Sequence, residues 1–113
     1  MKTIYLHNSR CSKSRQGLDL IKSNNIDHEV VEYLKTPLTK SQLNDLYDLL
    51  SKNYQTNEFT RVKEKEFNSD VKSLTKSKWV NLIYETPKLI ERPILFNKTK
   101  AIIGRPPENL LSF

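Results

Sequence analysis

The chain has 113 residues, 36% of them hydrophobic, and its 19 Lys and Arg against 13 Asp and Glu leave a net charge of +6. This length suits one compact domain, with room for one insertion, and argues against two independent cores. One cysteine, Cys11, excludes an internal disulfide and a cysteine-rich zinc centre; the two histidines, His7 and His28, lack carboxylates at metal-ligand spacing, so no metal is expected.

Ile4 and Leu6 alternate with Thr3 and Tyr5, which predicts a strand over 3–6. Leu18, Leu20 and Ile21 predict a helix over 12–23, ended by Asn24-Asn25. The β-branched and aromatic run Glu29-Val30-Val31-Glu32-Tyr33-Leu34 predicts a second strand, closed by Pro37. Thr39-Lys40-Ser41-Gln42 is a capping box, and Leu43, Leu46, Tyr47 and Leu50 follow at amphipathic helical spacing. From Lys52 to Lys78 the isolated apolar anchors Phe59, Val62 and Phe67 predict short helical turns. Trp79, Leu82 and Ile83 define another helix, stopped by Thr86-Pro87. Pro93-Ile94-Leu95-Phe96 reads as a buried strand that turns at Asn97–Lys100 and pairs back through Ala101-Ile102-Ile103. After Gly104, Pro106-Pro107-Glu108 opens a final helix, because proline suits the first turn and a carboxylate favours the positive end of the helix dipole. Strand, helix, strand, helices, strand, strand, helix is an α/β order.

Mean hydropathy is −0.65, yet the apolar residues are clustered and periodic, as a folded chain requires. No apolar run approaches the ~20 residues of a membrane span. The start, through His7, is a short alternating run rather than the apolar stretch of a signal peptide, so a cytoplasmic protein without a membrane partner is expected. The lysines are scattered, and Lys63-Glu64-Lys65-Glu66 alternates in sign as a solvated face does. No RNA-binding aromatic motif accompanies the charge. Composition alone leaves nucleic acid and small anionic substrates both open; a nucleic-acid partner, supported only by charge, is not expected.

Cys11 stands between a predicted strand and a predicted helix. Free amides and the positive dipole end at such a junction stabilise thiolate over thiol. Lys13 and Arg15 add positive charge nearby, and the Ser14 hydroxyl is placed to donate a hydrogen bond to the sulfur.

The segment His7-Asn8-Ser9-Arg10-Cys11-Ser12-Lys13-Ser14-Arg15 resembles the active-site loop of the glutaredoxin-linked arsenate reductase family. Tyr33-Leu34-Lys35-Thr36-Pro37, Glu91-Arg92-Pro93-Ile94 and Gly104-Arg105-Pro106-Pro107-Glu108 resemble that family's later motifs, in order and at compatible spacing. The resemblance implies a single thioredoxin-like domain over 1–113, with a mixed sheet and a helical insertion at about 38–86. It implies Cys11 as nucleophile and Arg61, Arg92 and Arg105 as oxyanion-binding residues. Ser14, Arg15, His7 and Asn8 match the positions that support the thiolate, and the bond before Pro93 is implied to be cis. Guanidinium forks suit the oxygens of a tetrahedral oxyanion, which agrees with that assignment on independent grounds.

The implied activity is arsenate reduction, with glutathione as co-substrate, glutaredoxin as the resolving partner and no bound cofactor. A chain with one cysteine must draw electrons from an external thiol. Lys13 and Arg15 are placed to attract the carboxylates of glutathione. Two alternatives stand beside this reading. One is a glutathione-dependent thiol reductase acting on another substrate. The other is an Spx-like regulator that binds RNA polymerase, although the cysteine pair of that branch is broken here by Ser14.

Overall fold

Strand β1 (Ile4–Leu6) is buried at every position and lies at the centre of a four-stranded sheet. It pairs in parallel with β2 (Glu29–Val31) and antiparallel with β3 (Ile94–Phe96), and β3 pairs antiparallel with β4 (Ala101–Ile103). The strand order is β2-β1-β3-β4. The computed structural model describes residues 2–113, and Met1 lies outside them.

Register explains the continuous apolar runs. Tyr5 lies opposite Leu95, and Leu95 opposite Ile102, so these three share one face. Ile4, Leu6, Ile94, Phe96, Ala101 and Ile103 share the other, and all six are buried. A strand covered on both faces has no reason to alternate in polarity. β2 is an edge strand and largely exposed. It stops at Val31 rather than continuing to Leu34, because the chain turns there: the amides of Lys35 and Thr36 both donate to the Glu32 carbonyl at 2.9 Å.

Helix α1 (Ser12–Ser23) covers the Tyr5 face. Asn25 ends it in the left-handed region, with φ 56. Its amide donates to the Lys22 carbonyl and the Ile26 amide donates to the Ile21 carbonyl, the paired bonds of a Schellman stop. Tyr5, Ile21, Leu95 and Leu110 form a buried cluster, with Leu18, Ile26, Ile102 and Phe113 packed against it. Leu110 comes from the final helix, Pro107–Ser112, which is wound as a 3-10 helix. Residues three apart eclipse in that winding, so Pro107 and Leu110 turn inward together, and both are buried.

The chain folds into two compact units. The first comprises the residues up to Thr36 together with Arg92–Phe113; the second is Pro37–Glu91. Helix α2 (Lys40–Ser51) opens the second unit on the expected capping box: the Gln42 amide donates to Thr39 Oγ1 and the Thr39 amide donates to Gln42 Oε1. Helix α3 (Lys76–Glu85) presents Trp79, Val80 and Ile83 inward. Between them run two short 3-10 turns, Thr56–Glu58 and Val71–Ser73. Trp79 is fully buried against Phe59 and Tyr47, with ring centroids 5.4 Å apart in each case, and its indole N–H donates to Thr60 Oγ1. Thr60 bridges Ile90, and the Glu91 amide donates to the Phe59 carbonyl, so this unit holds the chain up to Glu91. No helix among the described residues is long and apolar enough to cross a membrane.

Gly17 shows how tightly α1 is seated. A Cβ there would stand 2.5 Å from the Tyr5 hydroxyl and 2.8 Å from Leu110 Cδ1. Gly17→Ala should therefore destabilise the protein by about 1–3 kcal/mol through overpacking. That exceeds the gain of about 1 kcal/mol that alanine has over glycine in a helix. Urea unfolding measures the difference, and a variant as stable as the parent would refute the close approach.

Candidate active site

The chain leaves β1 through a short loop and enters α1 at Cys11, which occupies the N-cap. The His7 amide continues the sheet ladder onto the Val31 carbonyl. Asn8 then makes the turn: its side-chain oxygen accepts from the Arg10 amide at 3.1 Å and its carbonyl accepts from the Cys11 amide at 3.0 Å. The first helical bond runs from the Arg15 amide to the Cys11 carbonyl. This leaves the amides of Lys13 and Ser14 for the sulfur of Cys11, which is half-buried.

Burial pushes the Cys11 thiol up. It is outweighed by the Ser14 amide, by the hydrogen bond and charge of the Arg92 guanidinium, and by the Lys13 amide, so the thiol sits below its ordinary value. Arg105 approaches the same atom, with Nη2 3.6 Å from Sγ. The structure thus brings Cys11, Arg92 and Arg105 together. Arg92 precedes a cis bond to Pro93, as implied, and the Arg105–Pro106 bond is also cis. The two arginines are tied to one another, since Arg105 Nε donates to the Arg92 carbonyl at 2.8 Å. Gly104 makes this approach possible. Its amide donates to the Pro93 carbonyl, and a Cβ on it would lie 2.8 Å from both Pro93 and Leu110.

Ser14 supports the sulfur differently from the sequence reading. Its hydroxyl does not serve the thiol; its backbone amide does. The hydroxyl is fully buried on the loop side, where it accepts from the Asn8 amide at 3.0 Å and pairs with His7 Nδ1 at 2.7 Å. Burial lowers the His7 pKa, with Glu32 partly opposing, which favours a neutral ring near pH 7. With its proton on Nε2, that ring accepts the Ser14 hydroxyl proton and gives the hydroxyl a donor and an acceptor partner. Arg15 closes the loop from outside, donating to the Ser9 carbonyl at 2.9 Å. His7, Asn8 and Arg15 thus shape the loop that presents the sulfur.

Tyr5 is the residue that sequence reasoning missed. Its hydroxyl donates to the Ser14 carbonyl at 2.6 Å, and burial holds the phenol protonated far above its usual range. The signal was present: a tyrosine in a fully buried strand must find a partner for its hydroxyl. Arg61 belongs to the second unit. There its guanidinium meets Glu64 at 2.7 Å and Glu91 at 3.3 Å, and Lys88 reaches Glu64 and Glu66. Burial works against that guanidinium's charge, but Glu64 and Glu91 outweigh it and hold it charged.

The sequence model of the ArsC family matches residues 6–113. The chain belongs to the ArsC family. It is 45% identical over 108 residues to the Escherichia coli uncharacterized protein YfgD, covering 93% of this chain and 90% of that one. It is 40% identical to a Neisseria meningitidis arsenate reductase, covering 92% of this chain and 91% of the other. The solved structure of an arsenate reductase from Vibrio cholerae superposes with a TM-score of 0.86 at 35% identity, covering 99% and 97% of the two chains. The mixed sheet with its helical segment between β2 and β3 is the thioredoxin-like arrangement of this ArsC family.

The alkylation rate of Cys11, followed against pH, should show a midpoint below the ~8.5 of a free cysteine. Arg92→Met should move that midpoint up, because it removes an opposite charge and a donor from the thiolate. A midpoint unchanged by Arg92→Met would show that the guanidinium does not support the sulfur.

Proposed function

We propose that the protein reduces arsenate, using Cys11 as nucleophile and external thiols as reductant. The observation that carries this reading is a half-buried sulfur with a depressed pKa that two guanidiniums reach, one of them at 3.6 Å. Such a site offers a nucleophile and charge-matched forks for a tetrahedral oxyanion in one place. The family membership and the arsenate reductase relatives support the same substrate.

Cys11 thiolate attacks arsenic, and one arsenate oxygen leaves as water. A glutathione thiol then condenses on the arsenic. A glutaredoxin thiol attacks the glutathione sulfur, a disulfide forms, and the electron pair of the sulfur–arsenic bond stays on arsenic. Water releases arsenite from Cys11. Arsenic gains two electrons, the two external thiols lose them, and no metal or bound cofactor enters the balance. The ion pairs of Arg61 with Glu64 and Glu91 are those it would exchange for oxyanion contacts in the role the resemblance implies. A thiol reductase of other substrates is the second reading. The carboxylates already satisfying Arg61 favour it, because they compete with an anionic substrate.

Arsenite formation with glutathione and glutaredoxin supplied tests the proposal. Cys11→Ser should abolish turnover. Arg92→Lys and Arg105→Lys should each lower kcat/KM by about tenfold or more, since lysine keeps the charge and loses the bidentate fork. Wild-type turnover in both lysine variants would remove the oxyanion assignment. Reduction of glutathione mixed disulfides without arsenate turnover would favour the second reading.

A further inference from the structure

Resting on that reading, we propose that a cleft on the β2 side of the nucleophile loop seats the thiol co-substrate, holding a small anionic peptide thiol of the glutathione type by its charged end. The cleft has a volume of about 210 Å3 and lies between loop residues 7–10 and the turn at residues 32–35. The chain passes directly from the cleft lining to the nucleophile, since Arg10 precedes Cys11 and the Cys11 amide is held by the Asn8 carbonyl.

Sheet order separates the two reactants. Arg92 stands before β3 and Arg105 after β4, so the anion-binding guanidiniums reach the sulfur from one side of β1. The turn at 32–35 follows β2 and flanks β1 on the other side. Arsenic bound to Cys11 and held by the arginines would be open to a thiol arriving from the cleft. The lining matches such a thiol in charge. Arg10 and Lys35 offer two cations for carboxylates, and Glu32 offers one anion for an ammonium group. Lys35 and Glu32 pair only loosely, at 3.6 Å with both side chains exposed, so ligand groups can replace each partner at little cost. Leu34, a large apolar side chain 47% exposed, lies in the same lining and would cover the aliphatic part of the ligand.

The test follows mixed-disulfide formation at Cys11 by mass spectrometry. The Cys11 thiolate attacks one sulfur of glutathione disulfide, the protein–glutathione disulfide forms, and glutathione thiolate leaves. Bis(2-hydroxyethyl) disulfide, which carries no charge, reports the reactivity of the sulfur alone. Arg10→Glu and Lys35→Glu should each slow the glutathione disulfide reaction roughly tenfold and leave the uncharged disulfide within about twofold. Lys98→Glu, in the β3–β4 turn at the opposite end of the sheet, should leave both rates within about twofold. No slowing by either cleft variant, equal slowing of both disulfides, or equal slowing by Lys98→Glu would overturn the proposal. Protection of wild-type Cys11 from alkylation by arsenate reads the oxyanion assignment separately. Its absence would sink that assignment, while the disulfide rates would still decide whether the cleft binds the thiol.

Discussion

Ser14 is the point on which the site depends, because it is buried in the first turn of α1 and each of its polar groups is committed. Its carbonyl takes the Tyr5 hydroxyl from β1, its hydroxyl takes the Asn8 amide and meets His7 from the loop, and its amide serves the sulfur. A buried polar group left unpaired costs more than a paired one gains. Strand, loop and helix are therefore held in the one arrangement that satisfies all of them. The sulfur gains the Ser14 amide from that arrangement, and the Arg92 guanidinium adds its charge from outside the loop.

The arginines are placed by packing. Pro93, Gly104, Leu110 and Gly17 approach so closely that a methyl group on either glycine would collide with its neighbours. That contact brings the entrance of β3 and the exit of β4 together, and the Arg105 side chain is tied to the Arg92 backbone carbonyl. Close-packed interiors transmit strain, so a small change in this layer would displace Arg92 and Arg105 before it unfolded the sheet.

The second unit packs around Trp79, and its polar network centres on Arg61. Two carboxylates hold that guanidinium, and Lys88 in turn engages Glu64 and Glu66. An anion that recruits Arg61 must compete with groups already in place.

Local signals determined much of this protein. The alternation of Ile4 and Leu6, the spacing of Leu18 and Ile21, the Thr39–Gln42 box and the strand that follows Pro93 each act within a few residues of chain. Each reappears as β1, α1, the α2 cap and β3. The position of Cys11 at a helix start was equally legible, because a strand ended before it and a helical period began after it. What only the tertiary structure decided concerns groups distant in sequence or pointing two ways. Residues 11, 92 and 105 meet because β3 and β4 return beside β1, a pairing that no local pattern encodes. The second strand ended early because a turn at Glu32 overrode its β-branched composition. The Ser14 side chain had two possible partners within reach of its sequence position. Burial against His7 and Asn8 chose the loop, and the backbone amide was left to hold the sulfur.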